Sequence, residues 1–469
     1  MQIVALCDVN NTAGRQYYGY GNNDQRGLQV ARKNFGMDIP CYNDFREVIA
    51  RKDVDFIMSA TPDHWHAIIA LAAVEAGKDV YGEKPLTRTI REGKILRDAV
   101  EASGIIWQTG SWQRSLPDFV KAAEIIRNGY LGRVHRVVIG LPSNFRAEVL
   151  KPVPVPQGMD WEMWQGPAPR VAYYNPCKTF TRWRGIMNYC AGKIADWGAH
   201  HLDIAHWALG VDESGPIEIV PNFVEWPKDG FSDQPMKFSV TFHYKNGVEI
   251  EMSDMNRNGV EFFGEKGSLF VSRGMISSNP IGISETRILP TEDRLFPVRG
   301  GNHFTAFVDS ILDRRRAVTD INIAHRTNTG CLLGEIAYRL NRPIKWNPDT
   351  EEIVGDEEAA RLCDRAYCAP WQLSRMSILA DFHDMKKIIL STLSSLCIAA
   401  CASLYADNYS DFEAYKAGDS MAWFYELRNE SMLKAKAPKI EEKLLSIIAE
   451  KKIDDAAFDR ACEILKTIA

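Results

Sequence analysis

Residues 54–85 read VDFIMSATPDHWHAIIALAAVEAGKDVYGEKP, and this stretch sets the architecture. VDFIMSAT is an apolar run of strand length, DHWHAIIALAAVEAGK is an apolar helix stopped by Gly77, and DVYG is a second short apolar run. A buried strand, a covering helix and another buried strand make a βαβ unit, which demands a parallel sheet with both faces covered. The second strand stops at Glu83-Lys84-Pro85. Proline has no N–H for the ladder, and it drives the residue before it into an extended conformation. Lys84 is thereby placed at the carboxyl end of a strand, where open α/β sheets bind ligands.

The same rhythm continues on both sides. IVALCDV reads as a strand, the polar loop GRQYYGYGNNDQRG leads to a helix over 28–35, and YNDFREVIARKD reads as a short helix capped near Asn43. Downstream, TIREGKILRDAVEASG is a helix with Gly104 as its stop, IIWQTG a strand and PDFVKAAEIIRNGYLG a helix. Residues 1–130 are thus expected to form a Rossmann-like α/β domain. Beyond 131 the pattern changes to longer alternating runs: VHRVVIGLPSNF, GPIEIVPNFVEW, MKFSVTFHYKNGVEIEMSDM, GVEFFG and GSLFVSRG, with a hairpin signal at Lys245-Asn246-Gly247. A large, mostly antiparallel open sheet is expected, completed by helices over 303–313 and 322–340 into an α+β domain spanning 131–373.

The remainder, 374–469, is expected to be a helical tail of separate origin. Within it, 385–406 combine a basic start, an apolar run and small residues, the parts of an export signal in an internal position. A chain of 469 residues accommodates two or three domains, and its net charge of -5 with scattered Lys and Arg excludes a nucleic-acid surface. The 10 cysteines form no CxxC pair and read as thiols. The first residues run directly into a strand, so the chain as it stands reads as cytoplasmic, and as periplasmic if a lost leader preceded it.

Asp8 closes the first strand. An acid in that place accepts hydrogen bonds from the adenosine ribose and repels a 2′-phosphate, which favours NAD over NADP. The glycine fingerprint belongs about 20 residues earlier, so the first strand and phosphate loop are expected to be missing and the chain to be N-terminally truncated. Gly19-Tyr20-Gly21 follows no strand and reads as a loop. In GKIADWGAHHLDIAHWALG, residues 192–210, Asp196, His200, Asp203 and Trp207 fall at helical spacing on one face. An Asp/His pair one turn apart can orient an imidazole as general acid or base near neutral pH, and a nearby Lys84 ammonium can polarise a hydroxyl or carbonyl oxygen. Adjacent histidines diverge by about 100° on a helix, so no metal site is expected. Trp107, Trp112, Trp161, Trp164 and Trp183 can each be core or a stacking surface for a sugar ring.

These motifs together resemble the Gfo/Idh/MocA family of NAD(P)-dependent sugar and polyol oxidoreductases. The likeness rests on the strand ending in Thr61-Pro62 with His66 beyond it, on Glu83-Lys84-Pro85, and on the later Asp196-x-x-x-His200-x-x-Asp203 helix, and it covers residues 1–372. DWEMWQGPAP and ADWGAHHLDIAHWALG are further similar to the branch often made with an export signal. The resemblance implies Lys84 as catalytic lysine with Asp196 and His200 as the acid/base pair, and cofactor contacts from Asp8, Thr61, Pro62, His66, Glu83 and Lys84. It places Gln113, Arg114, Arg182, Tyr189 and His200 near substrate. The expected activity is NAD-dependent oxidation of a sugar or polyol hydroxyl. The alternatives are an NAD-dependent glycoside hydrolase of the same family and a non-catalytic sugar-binding or assembly protein. A homo-oligomer through the second-domain sheet is expected by the same analogy.

Overall fold

The structure, a computed structural model, describes residues 2–10, 36, 38–143, 151–174, 183–230, 232–289, 292, 295 and 302–373. The helix expected over 28–35, the Gly19-Tyr20-Gly21 loop, Arg182 and the tail 374–469 lie outside them.

The first half is a Rossmann-like parallel sheet in two pieces. Strand β1 (Leu6–Cys7) pairs in parallel with β2 (Cys41–Tyr42), followed by helix α1 (Phe45–Ile49). Strands β3 (Phe56–Ser59), β4 (Asp79–Gly82) and β5 (Trp107–Thr109) form a separate parallel sheet in the order β3-β4-β5. Helices α2 (Asp63–Glu75) and α3 (Ile90–Ser103) are the βαβ crossovers, and α4 (Pro117–Arg127) follows β5. Their ends are written locally. Thr89 and Glu92 close a reciprocal capping box, and Gly77 and Gly104 each take a φ of 68°, a left-handed conformation open to glycine.

A nine-stranded sheet follows, ordered β12-β11-β10-β6-β9-β8-β7-β13-β14. It contains β6 (Val134–Gly140), β7 (Pro216–Glu225), β8 (Lys237–Tyr244), β9 (Glu249–Ser253), β10 (Gly259–Gly264) and β11 (Gly267–Ser272), all expected from the sequence. Strands β12 (Met275–Asn279), β13 (Ile344–Asn347) and β14 (Glu352–Ile353) were not, being short. Every pairing is antiparallel except β6 with β9. Between β6 and β7 the chain forms helices α5 (Trp161–Gln165), α6 (Lys193–Asp196) and α7 (Gly198–Leu209). The inner face of the sheet, with Phe238, Val240, Phe242, Ile250 and Met252, packs in one core with residues of α4 and α7.

The late helices depart from expectation. After α8 (Gly282–Glu285), helix α9 (His303–Asp313) lies against the parallel sheet, where Phe307 and Ile311 meet Phe56, Tyr81 and Ile106. A parallel sheet must be covered on both faces, and α2 and α3 cover only one; α9 supplies the other. Helix α10 (Ile321–Leu340) packs on α3, α7 and β7, and the chain ends its described part beyond α11 (Glu357–Arg361). Arg88 forms a buried, two-pronged pair with Glu335 of α10 at 2.8 and 2.7 Å, and Asn328 of the same helix donates to the Thr87 carbonyl at 3.1 Å. Among the described residues, no helix is long and apolar enough to cross a membrane.

Several histidines are sealed into this frame. His206 shares a 2.6 Å hydrogen bond with the Tyr244 hydroxyl, His64 reaches the Trp164 carbonyl at 3.0 Å, and His303 lies 2.9 Å from the Thr109 carbonyl. Burial pushes His64 down to about 3, and His201, His206 and His303 to about 4. Folded, these rings stay neutral at pH values where the unfolded chain protonates them, so stability is lost as pH falls from about 6.5 toward 4. Asp203 and Asp320, raised by burial, oppose this only at the acid end. Each histidine contributes a slope of up to ~1.4 kcal/mol per pH unit. Calorimetric melting across this range should show a falling transition temperature, with a shallower fall in His206→Asn. A flat profile would mean that the rings are solvated.

Candidate active site

Lys84 emerges from the carboxyl end of β4, and its ammonium meets one residue twice. Nζ donates to the Asp196 carbonyl oxygen at 2.6 Å and to its Oδ1 at 2.7 Å. The carbonyl is available because the helix is broken there. In a continuous helix it would accept the His200 N–H, four residues on. Here α6 ends at Asp196, and the His200 N–H turns instead to the Trp197 carbonyl at 2.9 Å. The expected unbroken face from Asp196 to Trp207 is therefore divided. Asp196 and His200 stand at the break, while Asp203 and Trp207 hold Arg114 farther along α7, with Asp203 Oδ2 2.8 Å from Nε and the Trp207 ring 5.2 Å from the guanidinium carbon.

Two more cations reach the same carboxylate. Lys193 Nζ lies 2.9 Å from Asp196 Oδ2, and Arg184 Nε lies 3.2 Å from Oδ1. Burial works against the charged form, but Lys84, Arg184 and Lys193 outweigh it and hold the Asp196 carboxyl far below the usual carboxylate range. Sequence reading missed Lys193 and Arg184, although Lys193 is a visible signal three residues before Asp196 in GKIAD. The carboxylate is thus committed to cations, and no hydrogen bond joins it to His200. His200 is itself buried, with Nδ1 unpartnered. Burial first, then the charges of Lys84 and Arg273, push its imidazole well below 6.5. The expected base titrating near neutrality is replaced by a ring that stays neutral, because desolvation and nearby cations outweigh the attraction of Asp196.

The remaining expected residues divide between those near Lys84 and those buried elsewhere. Glu83 is raised by burial, against the pull of Lys84 and His66, and its carboxylate lies over Gly110, where a Cβ would come within 2.7 Å of Oε2. His66 places Nδ1 2.7 Å from the Pro85 carbonyl and Nε2 2.7 Å from the Thr61 carbonyl, tying the loop after β3 to the Glu83-Lys84-Pro85 loop. Pro62 caps α2 without a side-chain bond, and the Thr61 hydroxyl is buried with no partner. Asp8 follows β1 and accepts the Asn10 N–H at 2.9 Å.

Gln113 and Arg114 do not line open space. Gln113 is fully buried and reaches the His200 carbonyl at 3.4 Å and His201 Nδ1 at 3.3 Å, so it buttresses α7. Arg114 is locked between Asp203 and Asp212, at 2.7 and 2.6 Å. Tyr189 is buried against His64 and Trp164, with ring centroids 4.8 and 5.0 Å away. Arg182 is outside the described residues. Of the tryptophans, Trp161, Trp164 and Trp183 form a core of their own with Tyr173 and Tyr189, and Trp107 is buried in the sheet. Trp112 alone of the five is half-exposed beside His200, ring centroids 6.3 Å apart.

Removing the anion at the centre leaves buried cations facing one another, which costs about 3–5 kcal/mol when a buried pair is broken. Asp196→Asn should therefore lower the urea midpoint strongly, and Lys193→Met much less, since Lys84 and Arg184 remain on the carboxylate. Equal effects of the two substitutions would contradict the shared-carboxylate geometry. Gly110→Ala should displace Glu83 and destabilise by about 1–3 kcal/mol, the range for overpacking.

Comparison with known proteins accords with this geometry. The model of the oxidoreductase family's NAD-binding Rossmann fold matches residues 2–111, and the model of its C-terminal alpha/beta domain matches residues 122–373. Levoglucosan dehydrogenase of Pseudarthrobacter phenanthrenivorans is 38% identical over 189 residues, covering 40% of this chain and 41% of that protein. The NAD(+) scyllo-inositol 2-dehydrogenase of Bacillus subtilis is 27% identical over 259 residues, covering 52% of this chain and 63% of its own length. The chain thus spans less than two thirds of the length of these relatives. Among solved structures, levoglucosan dehydrogenase in complex with NADH and levoglucosan has a TM-score of 0.53 at 18% identity, covering 73% of this chain and 90% of that one, a likeness of fold. With both domain models matched in order over most of the described residues, the chain belongs to the Gfo/Idh/MocA oxidoreductase family.

Proposed function

We propose that this protein is an NAD-dependent oxidoreductase acting on a hydroxyl of a sugar or polyol. The observation that carries the reading is the meeting of Lys84, from a strand end, with Asp196, from a helix break more than a hundred residues later, at the carboxyl end of a parallel sheet, with His200 at the same break within reach of the Lys84 charge. Relatives named as levoglucosan and inositol dehydrogenases support the substrate class.

The described residues fit a nicotinamide dinucleotide at this end of the sheet. The Ser59 and Thr61 hydroxyls are buried without partners at the carboxyl end of β3, and an unpartnered buried hydroxyl is costly unless a ligand completes it. Asp8 offers the acid for ribose hydroxyls and supports NAD over NADP. Bound there, NAD⁺ supplies the hydride acceptor, so that a CH–OH becomes C=O with loss of one hydride and one proton.

The protein's own share is to hold the alcohol and move that proton. Lys84 keeps an N–H for the substrate oxygen while two others bind Asp196, and its positive charge stabilises a developing alkoxide. His200, held neutral, accepts the proton. The surrounding cations weaken it as a base, which favours passing the proton on rather than keeping it. Asp196 holds Lys84 in place.

Lys84→Met should lower kcat by about a hundredfold or more while the fold persists, the usual worth of a positioned proton-transfer group. NADH formation from sugars and polyols measures it, and unchanged kcat would remove Lys84 from the chemistry. The acid limb of the wild-type profile should lie well below pH 6.5, because His200 stays neutral down to low pH. An acid limb near 6.5 that vanishes in His200→Asn would show instead that the ring titrates like a solvated histidine.

A further inference from the structure

Arg273 sits in the turn between β11 and β12, and the reaction above gives it no part beyond the effect of its charge on His200. Its guanidinium carbon lies 4.5 Å from the ring centroid of Trp112 and 4.5 Å from that of Trp197. Its Nε donates to Gln113 Oε1 at 3.2 Å, and Gln113 in turn is held on the His200 carbonyl at 3.4 Å. The group is therefore held against two rings and along one edge. Among the described residues it meets no carboxylate, in contrast to Lys84, Lys193 and Arg184, each of which pairs with Asp196. Both indoles that flank it also stand edge-on to His200, with centroids 6.3 and 6.1 Å away. The guanidinium is thus placed beside the proton acceptor, with its two terminal amino groups uncommitted.

Arg273 is an exposed residue, but a guanidinium restrained in this way has little further entropy to lose, and its open edge presents parallel N–H donors in the spacing of a carboxylate. Asp196 attracts Arg273 without pairing with it, and its oxygens are taken by Lys84, Arg184 and Lys193. The terminal amino groups of Arg273 pair with no carboxylate among the described residues, and a neutral sugar would leave them so. We propose that the substrate is a sugar acid, whose carboxylate docks on Arg273 while a hydroxyl of the same ring meets Lys84 and His200. This assignment rests on the oxidoreductase reading and names its substrate class. The carboxylate is a bystander in the redox step, so the balance of hydride and proton is unchanged.

The test uses the full chain and reads binding apart from turnover. Trp112 and Trp197 report on the guanidinium between them, so their fluorescence is titrated with D-glucuronate, D-glucose and glucose 6-phosphate, and NADH formation is followed in parallel. Glucuronate is expected to bind at least about tenfold more tightly than glucose, the difference made by one charge-assisted pair, and to weaken with added salt. Arg273→Gln should abolish that preference without changing glucose binding, and Arg273→Lys, which keeps the charge and loses the fork, should fall between. Equal binding of glucuronate and glucose, a preference that survives in Arg273→Gln, or tighter binding of the phosphate ester than of the uronate would overturn the assignment. Loss of NADH affinity in Arg273→Gln without any uronate preference would also overturn it, and would give the residue to the cofactor. If glucuronate binds through Arg273 but yields no NADH, the sugar-acid site stands and the oxidoreductase reading falls.

Discussion

An ammonium bound twice by one residue across 112 positions of sequence is the contact on which the site depends. Lys84 belongs to the parallel sheet and Asp196 to the helical layer beneath the large sheet, so this contact aligns the two halves of the candidate site. It needs two local concessions. Pro85 ends β4 so that Lys84 leaves the ladder, and the helix from Lys193 breaks at Asp196 so that a backbone carbonyl becomes free to accept. Neither concession is favourable alone. A helix interruption wastes a hydrogen bond, and burying a carboxylate is costly; the convergence of Lys84, Lys193 and Arg184 offsets both.

That arrangement is held by further buried charge pairs, most of them involving the long helix α10 or the strands beside it. Arg88 pairs with Glu335, Arg97 with Glu351, which also bonds His325 at 3.0 Å, and Arg114 with Asp203. Buried pairs contribute little net stability relative to apolar packing, but breaking one is expensive. Their effect is to make misalignment of the two layers costly. Arg88 is four residues from Lys84, and its grip on α10 limits how far Lys84 can move.

Burial and excess positive charge also set the chemistry. Lys84, which with Arg184 and Lys193 keeps Asp196 ionised, joins burial and Arg273 in pressing His200 toward its neutral form, so a fixed anion and an uncharged ring stand side by side. An environment of this kind favours negative charge developing on a bound oxygen.

The local steps of the fold were written in consecutive residues. The βαβ pattern of 54–85, the Thr89/Glu92 capping box, the glycine stops at 77 and 104 and the strands of the large sheet through β11 follow from periodicity and terminal chemistry, which act within a few residues. Lys84 was legible for the same reason, since Pro85 fixes its neighbour's conformation. The tertiary structure decided the rest. It broke the helix at Asp196, which simple helical spacing had run through to Trp207, and it laid α9 on the parallel sheet rather than on the large one. It buried Gln113 and Arg114, and it lodged Arg273 between Trp112 and Trp197. Each of these outcomes depends on partners dozens to hundreds of residues apart. Spacing along a chain encodes which residues share a helix face or a strand face, but not which charges and rings will be brought together when those faces pack.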